Sequence, residues 1–129
     1  MIEVYIDGAS AGNPGPSGAG IFIKNNGETQ SYSIPLGEME NHEAEFHALL
    51  QALEICVKAE ASIVSVRSDS SAVVQAVEKQ FVRNEKYRLL LSEILLAIEG
   101  FELFFIKWIP SKENKQADAL AKKAIHLNQ

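Results

Sequence analysis

One cysteine in 129 residues, Cys56, leaves this chain without an internal disulfide, and the cytoplasm is the expected compartment. Cys56 lies in an apolar helical pattern and reads as a small buried hydrophobe rather than a reactive thiol. The three histidines, 42, 47 and 126, and that lone cysteine lack zinc-ligand spacing. No apolar run approaches the roughly 20 residues of a membrane span, so no membrane partner is expected. Glu3 and Asp7 interrupt the first apolar stretch, and no basic segment precedes it, which argues against a signal peptide. Neither GxxxxGK[ST] nor GxGxxG occurs, so nucleotide-loop readings fail. A Ser/His/Asp triad has no nucleophile elbow to support it. Repeats, low-complexity tracts and linkers are lacking too, and the expectation is one domain over residues 1–129.

Positive charge is scarce as well. The net charge of −5 argues mildly against nucleic acid. Its distribution is uneven: from Lys107 onward five lysines face Glu113 and Asp118, leaving +3, while residues 1–106 carry −8. A basic segment on an acidic body can still meet a phosphate backbone locally.

Ile2, Val4 and Ile6 alternate with Glu3, Tyr5 and Asp7, which predicts a strand. Five glycines and two prolines follow between Gly8 and Gly20, read as a tight link whose small residues let backbone approach a sugar-phosphate strand. Strands are expected over Ala19–Lys24 and Thr29–Leu36. Asn25-Asn26-Gly27 between them is a hairpin signal, because Asn-Gly accepts positive φ. Helices are expected over Asn41–Lys58, Ser70–Lys79, Asn84–Glu99 and Glu113–Leu127, and strands over Ile63–Arg67 and Phe101–Ile109. The order βββαβααβα predicts an α/β domain, a five-stranded mixed sheet flanked by helices.

Four carboxylates stand out. Asp7 and Asp69 each end a predicted strand, and parallel neighbours would bring both to the carboxyl edge of the sheet, where α/β folds place ligand sites. Alone, Asp7 is also an ordinary turn residue and Asp69 an ordinary helix N-cap. Glu45 is more telling. With His47 at zero and about 100° per residue, Glu43, Gln51, Glu54 and Lys58 fall within about 40° of it, whereas Glu45 lies near 160° with Ala44, Ala48, Leu49 and Ala52. A carboxylate on a sheet-facing stripe needs a partner or a metal; the plainer reading is a first-turn acid facing the helix dipole. Asp118 borders the packing stripe of the last helix. Gathered together, four like charges would raise one another's pKa values. Divalent cations remove that conflict, and all-oxygen ligation suits Mg²⁺ or Mn²⁺.

The motifs go further. DGASAGNPGPSGAG, NHEAEFHALLQAL, SDSSAVVQAV and WIPSKENKQADALAKKA, in that order across nearly the whole chain, resemble the signatures of the type 1 ribonuclease H family. The resemblance implies a ribonuclease H-like fold. It also implies endonucleolytic hydrolysis of the RNA strand of an RNA/DNA hybrid, leaving a 3′-hydroxyl and a 5′-phosphate, with two metal ions bound alongside substrate. Carried over by position, Asp7 would bridge both metals, Asp118 would join it at the ion holding the attacking water, and Glu45 and Asp69 would complete the second site. Glu45 would also lie near an RNA 2′-hydroxyl. Gly8, Ser10, Gly12 and Asn13 of the loop, with Asn41, match positions that meet the hybrid, and Asn84 matches one that helps hold a DNA-strand phosphate. The plainer reading of Asn41 is a helix N-cap and of Asn84 a helix start. A monomer with no obligatory protein partner is expected.

Three departures from the pattern stand out. Six residues before Asn114, where the family often has a mobile histidine, stands Trp108, which implies reduced turnover. Glu40 replaces a threonine of the phosphate pocket. A long basic, Trp-rich protrusion is lacking, since only about Gln80–Arg83 separate the middle helices. These departures keep a hybrid- or RNA-binding domain with little catalysis as the alternative, and a nuclease or transposase relative acting on another substrate as a third reading.

Overall fold

A computed structural model describes residues 1–127. Its elements follow the expected order: β1 (Ile2–Ser10), β2 (Gly15–Asn25), β3 (Glu28–Met39), α1 (Asn41–Lys58), β4 (Ile63–Ser68), α2 (Ser71–Lys79), α3 (Arg88–Glu99), β5 (Leu103–Trp108) and α4 (Lys115–Leu127). The sheet runs β3-β2-β1-β4-β5. β1, β2 and β3 form an antiparallel meander, and β4 and β5 add in parallel to β1.

Alternation along β1 sends Val4, Ile6 and Gly8 to the face covered by α1, and Glu3, Tyr5 and Asp7 to the other. The core lies on the α1 side, where Val4, Ile6, Ile21, Val64 and Val66 meet Phe46, Leu49 and Leu53 of α1 and Ile94 of α3. The fully buried Cys56 belongs to this layer, and burial pushes its thiol up to about 11, consistent with an inert apolar role. α4 covers the opposite face across β1, β2 and β3.

The hairpin turn is as short as expected: Asn25 pairs with Glu28, and Asn26 and Gly27 take φ values of +52° and +82°, the positive pair a type I′ turn requires. The glycine-rich stretch differs from expectation. Gly8 belongs to β1, and Gly15, Gly18 and Gly20 belong to β2; only residues 11–14 are loop. A side chain at Gly8 would meet the Ala44 carbonyl oxygen at 2.3 Å, and one at Gly20 the Ala117 oxygen at 2.0 Å. One at Gly18 would meet Ala124 Cβ at 2.5 Å. These glycines let α1 and α4 sit directly on the sheet.

Other boundaries shift for local reasons. β3 runs past Pro35 because it is an edge strand, where a missing N–H costs nothing. The third helix begins at Arg88, preceded by a single 3₁₀ turn over Glu85–Tyr87 that Asn84 caps through its side-chain oxygen. Another 3₁₀ turn, Ser111–Glu113, precedes α4.

Candidate active site

β1 continues three residues beyond Asp7, so that aspartate sits within a strand rather than at its end. Its parallel pairing with β4 stops at Ile6 and Ser68, however. Asp7 and Asp69 are the next residues of adjacent strands, side by side at the carboxyl edge. Asp69 is not the cap of α2: Ser70 Oγ accepts the Val73 N–H at 3.3 Å, and Asp69 keeps its carboxylate for other work.

Asp118 reaches the same place through backbone packing. Opposite Asp7 on β2 is Gly20, whose missing side chain admits the Ala117–Ala121 turn of α4. Asn114, 1% exposed, donates from Nδ2 to the Ile6 carbonyl at 2.8 Å, and its own carbonyl accepts the Asp118 N–H at 3.1 Å. Asn114 thereby ties the first turn of α4 to the residue preceding Asp7, while its Oδ1 is buried without a partner. Ser33 Oγ adds a donor to the Leu120 carbonyl at 2.7 Å. Lys122 pairs with Asp118 Oδ2 at 3.0 Å.

Glu45 points inward from α1 with its side chain 14% exposed, and His42 Nδ1 lies 3.0 Å from its Oε1. The sheet-facing angle derived for Glu45 thus corresponds to real burial. His42 lacks zinc-ligand spacing; its i, i+3 spacing to Glu45 is the signal for this different role.

The four groups feel one another. Burial first, then Asp69, Asp118 and Glu45, push the Asp7 carboxyl up to about 8. Glu45 is also raised by burial, with His42 pulling the other way. Among the described residues no three His, Cys, Asp or Glu side chains are already closed into a metal-holding group. The cluster is electrostatically coupled without being a preformed cage. An Asp7 carboxyl raised to about 8 beside three further acids, with only oxygen donors, is the environment a divalent cation relieves. The residues therefore fit such a cation.

The other expected contact residues have structural partners. Asn13 Oδ1 accepts the Asn41 N–H at 2.9 Å, so the loop caps α1 and Asn41 is its first residue rather than its cap. Ser10 Oγ bonds the Gly12 carbonyl and lies 3.0 Å from that of Met39. A side chain at Gly12 would meet the Pro14 oxygen at 2.8 Å. Glu40 pairs with Lys86 at 3.2 Å, which offsets its charge beside Asn84.

Trp108 lies in the strand expected over Phe101–Ile109. It closes β5, paired with Ser68, and is not part of the β5–α4 connection. Counting back from Asn114 crosses that short connection, so the count lands in the strand. The residue is 51% exposed and its Nε1–H donates to the Asp69 carbonyl at 3.2 Å. Trp108 is a neighbour of Asp69.

This sheet order, with carboxylates converging at the carboxyl edge of β1 and β4, is a ribonuclease H-like fold. Residues 5–124 match the family described as reverse transcriptase-like. The chain is 42% identical to EbsB of Enterococcus faecalis over 127 residues, covering 97% of this chain and 94% of that one. It is 32% identical to ribonuclease H of Desulforamulus reducens, covering 93% and 84%. Two solved structures superpose closely. One is RNase H1 of Halobacterium salinarum, with a TM-score of 0.91, 30% identity and 97% of each chain covered. The other is LC11-RNase H1 in complex with an RNA/DNA hybrid, with a TM-score of 0.89, 30% identity and 98% of each covered. Other relatives are longer; the chain spans 64% of ribonuclease HI of H. salinarum and 35% of Rv2228c of Mycobacterium tuberculosis. The chain belongs to the reverse transcriptase-like family, on its ribonuclease H type 1 branch.

Proposed function

We propose that this ribonuclease H cleaves the RNA strand of RNA/DNA hybrids endonucleolytically, leaving a 3′-hydroxyl and a 5′-phosphate, and that it acts in the cytoplasm as a monomer. The observation that carries the reading is the convergence of Asp69, Asp118 and Glu45 on Asp7, which raises the Asp7 carboxyl to about 8. Asp7, Glu45, Asp69 and Asp118 are the residues that would hold two Mg²⁺ or Mn²⁺ ions. Bound there, the pair supplies Lewis acidity for phosphodiester hydrolysis.

The protein's own residues do the positioning. Asn114 fixes the Asp118 turn against β1. His42 holds the Glu45 carboxylate and opposes its protonation. Trp108 pins the Asp69 backbone. Asn13, by capping α1, keeps the loop beside the first turn of that helix, where Glu45 would meet an RNA 2′-hydroxyl. Recognition by several 2′-hydroxyls in a minor groove disfavours duplex DNA.

The departures at Glu40 and Trp108 favour a second reading, a hybrid-binding domain with little turnover. A hybrid labelled on the RNA strand, incubated with Mg²⁺ and separately with Mn²⁺ at pH 7–9, distinguishes them. Cleavage of the RNA strand alone, lost in Asp7→Asn and weaker on duplex RNA and duplex DNA, supports the proposal. An intact hybrid in both metals overturns it.

A further inference from the structure

The lysines of the basic C-terminal segment are not all accounted for by the carboxylate site. Lys122 pairs with Asp118, but Lys112 and Lys115 instead line a cavity of about 250 Å³ beside the start of α4. Its other walls include Tyr5, Phe22 and Lys24. Tyr5 and Phe22 are cross-strand partners on the α4 side of the sheet, their ring centroids 6.2 Å apart. Lys24 Nζ and the Arg67 guanidinium each stand 5.5 Å from the Tyr5 centroid. Arg67 is committed to Glu3 at 2.6 Å. Among the described residues, Lys24, Lys112 and Lys115 have no ion-pair partner; Glu113 is the one acid of the lining.

Three unpaired ammonium groups around an aromatic floor offer a phosphate its counter-charge and a base its stacking surface. The lining is too polar for an apolar docking groove. It is also close to the carboxylates: Tyr5 is two residues before Asp7 on the same strand face, about 7 Å away, and Lys115 is three residues before Asp118, about one helical turn.

We propose that this cavity is a secondary site for one nucleotide of single-stranded RNA, its base against Tyr5 and its phosphate among Lys24, Lys112 and Lys115. It serves a single-stranded extension of the hybrid, and in that respect rests on the function proposed above. Lys24, which draws the Glu3 carboxyl down across the strand pair but is not salt-bridged to it, turns from Tyr5 toward the phosphate.

The test uses fluorescence anisotropy of a labelled single-stranded hexauridylate, with EDTA present so that no cleavage intervenes. Combined Lys24→Gln, Lys112→Gln and Lys115→Gln weakens binding at least ~10-fold and lowers the salt slope by about 2. Tyr5→Leu weakens it at least ~5-fold. The matching Lys→Arg combination retains binding, and Lys58→Gln, Lys79→Gln and Lys123→Gln together leave it unchanged, which separates the cavity from net charge. Uridine 5′-monophosphate that displaces the probe identifies free nucleotides as a source of the same ligand; displacement by oligonucleotide alone identifies the extension. Wild-type affinity in both the triple Lys→Gln and Tyr5→Leu variants overturns the proposal. So does binding of a labelled acidic peptide with no binding of the hexauridylate, which would make the surface a protein-docking one. Cleavage of a blunt hybrid is measured in parallel: its absence in wild-type protein counts against the proposed function, while the binding result still decides the cavity.

Discussion

The two halves of the carboxylate cluster are held in different ways. Asp7 and Asp118 are joined through backbone, with Gly20 admitting α4 onto β2 and Asn114 stitching α4 to the Ile6 carbonyl. Glu45 and Asp69 are held more by side chains, with His42 on the Glu45 carboxylate and the Trp108 indole on the Asp69 carbonyl. Backbone packing has no slack, because close-packed interiors do not yield by an ångström. A side-chain tether can be lost with only local readjustment. The first half should therefore fail abruptly on substitution and the second gradually.

Asp7→Asn breaks the first half at its centre and has the largest expected effect. Hybrid cleavage falls more than about 10³-fold. Stability moves the opposite way. The unfolded chain loses the Asp7 proton near 3.8 and the folded one near 8. Between those values the folded state binds more protons, so wild-type stability falls as pH rises. In metal-free buffer at pH 8, Asp7→Asn therefore melts several degrees above wild type, and near pH 4 the two melts coincide; calorimetry checks both.

Gly20→Val strikes the same half through packing. Its Cβ would lie 2.0 Å from the Ala117 oxygen and 2.5 Å from the Ala121 nitrogen, both backbone atoms. A loss of about 3 kcal/mol or more is expected in urea denaturation. Gly27→Ala is the contrast. A Cβ there meets nothing, and only the positive φ of +82° is strained, for a cost of about 1 kcal/mol. Equal losses at the two glycines would remove the argument that helix approach explains Gly20.

His42→Ala tests the side-chain half and should do least, lowering kcat about 3- to 10-fold while leaving the fold intact. Because His42 opposes the rise in the Glu45 pKa, its removal lets that pKa climb. The acidic limb of the pH–rate profile then moves to higher pH. A uniformly lower rate with the limb unmoved would mean that His42 acts only in packing.

Much of this was legible in the sequence. Strand alternation in Ile2–Asp7, the Asn26-Gly27 turn and the inward angle of Glu45 are local periodicities, and each corresponds to the folded arrangement. Other features depend on what lies across the chain. Gly18 reads as loop and Gly20 as an ordinary strand residue, because nothing local reveals that α4, some hundred residues later, rests on them. Asp69 reads as a cap until Ser70 is seen to take that role. Trp108 reads as strand from its aromatic-rich run and is strand, but its bond to the Asp69 carbonyl depends on β4 lying alongside, which no local pattern reveals. His42 was visible only as a poor zinc ligand, and its spacing to Glu45 carried its use.

The central claim is that the four acids form one electrostatic unit with Asp7 at its centre. Carbon-13 NMR titration of the Asp7 carboxyl in metal-free protein addresses it most directly. The account predicts a midpoint near 8 that falls when Asp69→Asn or Asp118→Asn is introduced. A midpoint near the ordinary 3.8, indifferent to both substitutions, would contradict it.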